Sequence, residues 1–172
     1  MKKFVKKQDG FAAVEVAMLF PILFALIMGI YDLGQALTIN QKTVTASQVI
    51  GDLITRNESV NVALIDDIIN AGELALTPYP LTDFGYDIMS VEFDEDGDPF
   101  VLWRTTEKMN ENDDSLADTI DLGGPGEGVV VVTIQNRYKP YFSGFVVDEI
   151  NMEEISFLRG RRSATVTCTD CP

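Results

Sequence analysis

Cys168-Thr169-Asp170-Cys171 sets two thiols three residues apart, a spacing shared with dithiol redox motifs. Catalysis at such a motif relies on a helix that begins there and stabilises the thiolate, and only Pro172 follows. In an oxidising compartment the pair is expected to close a small disulfide loop, with free thiols or a metal shared between chains as alternatives. Two cysteines are too few for a four-ligand zinc site. The sequence has no His, which removes Ser/His/Asp and Cys/His nucleophilic schemes and imidazole metal sites. Glu92, Asp94 and Asp96 with Gly97 offer half of a calcium loop. A full EF-hand loop starting at Glu92 would end at Trp103, where a bidentate Glu is needed, so a solvated hairpin is expected instead. Gly123 to Gly128 lacks the Gly-Lys-Ser/Thr ending of a phosphate loop and reads as a flexible connection. No apposed pair of acids emerges from spacing, as glycoside chemistry would require. An enzyme is therefore not expected: catalytic residues none, metal none, cofactors none.

Thirteen Lys and Arg against 27 Asp and Glu give a net charge of -14, which repels phosphate backbones, so no nucleic acid partner is expected. The cluster Arg159, Arg161 and Arg162 is expected to act as a counter-charge, with lipid headgroups or an acidic partner as alternatives. A chain of 172 residues, 46% hydrophobic, suits one modest domain with a real core.

Glu15 directs attention to the N-terminal region. Residues 1 to 10 carry Lys2, Lys3, Lys6 and Lys7, whereas Phe11 to Tyr31 is apolar apart from Glu15. As a helix that stretch extends ~31 Å at ~1.5 Å per residue, matching a ~30 Å hydrocarbon core. The positive-inside bias puts the lysines in the cytoplasm and everything from Asp32 onward across the membrane. A secretory signal peptide cut near Gly34-Gln35-Ala36 competes, but the apolar run exceeds the usual h-region. A plain signal anchor accounts for everything except Glu15, unless that side chain snorkels toward the lysines. A carboxylate inside such a segment costs roughly 2.5 to 3.5 kcal/mol at the bilayer centre, and less near an interface, and calls for a partner. A cut after Gly10 would supply one, because the new amino group on Phe11 would lie about one helical turn from Glu15.

The lysine-rich leader, Gly10, Phe11-Ala12-Ala13-Val14-Glu15 and the apolar helix resemble the class III signal of type IV pilin-like proteins, which a prepilin peptidase cleaves on the cytoplasmic side. Residues 10 to 37 are similar to the TadE-like pseudopilins of the tight-adherence (Tad/Flp) pilus, whose run continues with a Leu/Pro-rich stretch and a Gly, acidic, Gly pattern. Val16 stands where that subgroup often has Phe, a conservative departure. The resemblance implies processing between Gly10 and Phe11 and a role for Glu15 in assembly. It also implies prepilin peptidase, other pilins or pseudopilins and pilus assembly proteins as partners, and a single-pass location in the bacterial inner membrane.

The elements that must carry these residues follow from periodicity. Leu37, Val44, Ile50, Leu53 and Ile54 recur at near-helical spacing, so the membrane helix is expected to continue outward. Pro21 is expected to kink or loosen the span, and Gly29, Gly34 and Gly51 to be weak points. Residues 59 to 76 read as a second helix capped by Ser59. Residues 86 to 93 and 99 to 104 form a hairpin around the acidic turn, 128 to 138 is a strand, and 155 to 168 alternates as a last strand. A helical turn is expected around Leu116. The fold class is α+β: a long N-terminal transmembrane helix leading into a head with an antiparallel sheet of about four strands. The expected organisation is a cytoplasmic leader (1–10), a transmembrane helix (11–31) and an extracytoplasmic domain (32–172). A pseudopilin or minor pilin in pilus assembly leads over a singly anchored extracytoplasmic binding domain.

Overall fold

The computed structural model describes residues 9–79, 84–142, 144 and 148–171; residues 1–8 of the expected leader, with its four lysines, lie outside them. The first element is α1 (Asp9–Thr55), a helix of 47 residues that runs on through Pro21, ~70 Å long at ~1.5 Å per residue. Its distal half is rich in Thr and Val, poor helix formers, and the hydroxyls turn back on the helix. Thr38, Thr43, Thr45 and Thr55 each donate to the carbonyl four residues earlier, at 2.8 to 3.0 Å.

α1 divides by environment. From Phe11 to Leu33 most of its described apolar side chains are bare, with Phe11, Phe20 and Ile30 all more than 60% exposed and Met28 half-buried. From Ala36 onward one stripe is buried: Ala36, Ile39, Ala46, Ile50 and Ile54. There the helix lies on the head.

The head continues with β1 (Ser59–Val60), α2 (Val62–Leu76), β2 (Gly85–Phe93), β3 (Pro99–Glu107), α3 (Asp113–Ala117), β4 (Gly128–Tyr138), β5 (Ile150–Arg159) and β6 (Thr167–Cys168). Strands β2 to β5 form one antiparallel sheet in the order β3-β2-β4-β5. The hairpin between β2 and β3 is closed by Asp94, whose carboxylate accepts the N–H groups of Asp96 and Asp98 at 2.9 Å, with Gly97 at positive φ. α3 supplies the helical turn at Leu116.

Both faces of the sheet are covered, which is why β2 and β4 are buried almost throughout. Tyr86, Ile88, Val130, Val132 and Ile134 face α1 and α2, while Met89, Val91, Phe93, Val129 and Val131 face the opposite side, against Leu116 and Ile155. Alternation along β5 aligns it with α1. Met152 packs with Ala36 and Ile39, Glu154 accepts from Asn40, Ser156 bonds Ser47 at 2.7 Å, and Leu158 meets Gly51. A Cβ at Gly51 would sit 2.2 Å from a Leu158 methyl carbon, so any larger residue there would force the Leu158 side chain to turn.

β3 runs three residues past its expected end, to Glu107, and two larger differences from the sequence expectation follow. The second helix starts at Val62 and is capped by Asn61, whose side chain accepts from the Leu64 N–H, because Ser59 and Val60 pair in parallel with Thr167 and Cys168. The expected final strand (155–168) is two strands: β5 begins at Ile150 and ends at Arg159, and the chain turns through 160–166 before β6. At Val166 it crosses the sheet end, its carbonyl accepting from both Ser90 Oγ and Trp103 Nε1 at 2.8 Å.

Candidate functional site at the stem and its junction with the head

Gly10 is the second residue of α1, so the Gly10–Phe11 peptide lies in its first turn. Phe11 and Glu15 are both exposed. They are four residues apart on a continuous helix, hence on one face and ~6 Å apart along the axis. Among the described residues, no cation lies within ion-pairing reach of Glu15. Gly10, Phe11 and Glu15 thus lie together at the start of α1, far along the helix from Cys168 and Cys171.

The other end of the bare segment carries a residue whose part was missed from sequence. Asp32 is 4% exposed, and its carboxylate accepts the backbone N–H of Tyr141 at 3.1 Å and of Phe142 at 3.0 Å. Tyr31 meets the Phe142 ring edge-on at 5.5 Å. Burial, then the Asp32 charge, pushes the Tyr138 hydroxyl above its ordinary pKa. Asp32 is the acidic residue between Gly29 and Gly34; what betrays it is a buried acid one residue past an apolar run, a cost that backbone donors offset. One helical turn higher, Tyr79 donates to Gln35 at 3.1 Å, and Lys42 Nζ bonds the Ala75 and Thr77 carbonyls that end α2.

Residues 10–50 match the family model of the TadE-like protein. The TadE-like segment opens at Gly10 and takes in Glu15, the bare apolar run, Asp32 and the docking stripe as far as Ile50. This family suggests a Tad pilus-associated protein. Together with one apolar helix, Ala13–Thr55, long enough to cross a membrane among the described residues, it suggests a membrane-anchored protein. No curated protein and no solved structure matches the chain.

Beyond the TadE-like segment, Cys168 and Cys171 are joined by a disulfide, with Cα atoms 5.6 Å apart. The loop they close presents Asp170 to the start of α2, where it accepts the Val62 N–H at 2.8 Å. An anion at a helix N-terminus meets unpaired donors and a favourable dipole. Asp170 and both sulfurs also form a cluster with metal-ligand spacing, but sulfurs bonded to each other are not thiolate ligands. Of the C-terminal arginines, Arg159 pairs with Glu127 at 3.2 Å and Arg161 with Asp52, counter-charges that hold the last turn against α1 and the 120s loop.

A second network was not anticipated. Asp87 on β2 is buried and accepts four hydrogen bonds: Arg104 Nε (2.9 Å) and Nη2 (2.6 Å), Thr106 Oγ1 (2.7 Å) and the Asn112 N–H (2.8 Å). Burial pushes its carboxyl up, but the bonds from Arg104, Asn112 and Thr106 prevail and hold it below the usual carboxylate range. Arg104 is raised in turn, chiefly by its bond to Asp87. The pair pins the segment that ends at Asn112 over the sheet.

Proposed function

We propose that the chain is a membrane-inserted pseudopilin or minor pilin that takes part in assembling a tight-adherence pilus after prepilin peptidase cuts between Gly10 and Phe11. The leader, 1–10, is cytoplasmic; 11–31 crosses the bacterial inner membrane once; 32–172 forms the periplasmic or extracytoplasmic head. The observation that carries this is the division of α1. One continuous helix leaves most of its apolar surface bare from Phe11 to Leu33, has Gly10 as its second residue with Glu15 just over one turn further in, and touches the head only from Tyr31 onward. Bare apolar surface on that scale is at home in lipid or against other helices. A shallow apolar groove bordered by Pro21, Ala25, Gly29 and Leu33 gives neighbouring helices a close approach.

The chemistry at the entrance is consistent with cutting. Gly10 is a weak helix former in the first turn of α1, so that turn opens at small cost to offer a peptidase extended backbone. Once Phe11 carries the free amino group, Glu15 has a cation within one turn on its own helix or on a neighbour, which offsets the cost of a carboxylate near the bilayer.

The test is the mature N-terminus, measured by mass spectrometry from membranes with and without an active prepilin peptidase. Phe11 at the N-terminus only when the peptidase is present is the expected result, and Gly10→Leu should leave the precursor uncut. Met1 retained in both samples would support a singly anchored binding domain instead. An N-terminus near Leu37 would indicate a secretory signal.

A further inference from the structure

We propose that the Tyr141–Phe142 tip is a second membrane contact, which seats the head on the headgroup and upper acyl layer of the same bilayer that α1 crosses. The proposal rests on residues 11–31 being the span. Tyr31 ends that apolar run, and Asp32 grips the tip at the next residue through both the Tyr141 and Phe142 N–H groups. The tip is therefore held at the axial level where the helix leaves the hydrocarbon. Yet Tyr141 is 73% and Phe142 47% exposed, an arrangement that aqueous solvent disfavours and the interface favours. Phe142 adjoins the exposed Tyr31 on the stem, whose chain neighbour Ile30 is also exposed. Aromatic rings with an apolar body and a polar tip concentrate at this depth, and the exposed Lys139 beside them suits anionic headgroups. The occupant follows from continuity: whatever surrounds Tyr31 extends to its edge-on neighbour Phe142.

A Trp replacing each aromatic residue reports its depth. Full-length chain is reconstituted in phosphatidylcholine/phosphatidylglycerol vesicles, some carrying a nitroxide on the upper acyl chain and others near the bilayer centre. The wild-type chain, whose single Trp103 is 4% exposed within the head, gives the baseline. Tyr141→Trp and Phe142→Trp should add emission that the upper nitroxide quenches more strongly than the deep one. Leu23→Trp, in the middle of the bare run, should be quenched most by the deep label. Asp32→Ala should weaken the quenching at position 142 while leaving that at position 23 unchanged. Quenching at position 23 with none at 141 or 142 would overturn the proposal and leave the span standing. If 141 and 142 were instead shielded from aqueous iodide without lipid quenching, a protein neighbour would cover the tip and the proposal would also fail. No lipid quenching at any of the three positions would remove the span, and the proposal with it.

Discussion

Replacing Asp87 by Ala removes the acceptor of four hydrogen bonds at once. The Asp87 side chain is fully buried and that of Arg104 only 14% exposed, so the cation cannot simply turn to water. Removing one partner of a buried pair costs about 3 to 5 kcal/mol, because the other charge stays behind without compensation. Arg104 retains Asp113 at 2.8 Å and Glu111 at 3.3 Å, both largely exposed, which places the expected loss near the low end, about 3 kcal/mol. Urea unfolding of the full chain in detergent, followed by Trp103 emission, measures it, since Trp103 is buried and precedes Arg104 on β3. The pH dependence has a definite sign. A carboxyl depressed in the folded state stabilises fully above its unfolded pKa of about 3.9, and that contribution is lost as pH falls below this value toward the folded one. Acidifying below about pH 4 should therefore weaken the wild type more steeply than Asp87→Asn, which has no charge to lose at this site. A loss under about 0.5 kcal/mol for Asp87→Ala, or parallel acid profiles for wild type and Asp87→Asn, would refute the assigned role.

Three further outcomes are expected. Gly51→Ala should destabilise by about 1 kcal/mol in the wild type but stabilise in a Leu158→Ala background, where the methyl no longer collides and the helix gains up to about 1 kcal/mol of propensity; urea midpoints of the four chains reveal the change of sign. Asp170→Ala should lower stability by about 0.5 kcal/mol through loss of the Val62 contact, and the same substitution should have little effect once the Cys168–Cys171 bond is reduced, as read in the same unfolding assay. If Glu15 serves assembly as proposed, Glu15→Gln should still insert yet fail to support pili in cells; normal piliation by electron microscopy would reject the proposed assembly role.

Local pattern determined much of this protein. A lysine-rich start, one acid at Glu15 and an apolar run long enough for a bilayer mark out a long apolar helix from composition and spacing alone, because helix formation depends on neighbouring residues. The strand 128–138 was readable for the same reason, since a Val-rich run bounded by Gly and Pro has few other homes. Long-range pairing decided the rest. Ser59 is a sound N-cap by residue type, but pairing with Thr167 draws it into β1 and passes the cap to Asn61. The alternation from 155 to 168 hides a turn, because β5 ends at Arg159 and the chain crosses the sheet end at Val166. Asp32 and Asp87 look like ordinary members of a strongly acidic chain. Folding distinguishes them by bringing Tyr141 and Phe142 to the first, and Arg104, Thr106 and Asn112 to the second. A carboxylate's role depends on which donors the fold delivers to it, and those donors lie 17 to 110 residues away along the chain.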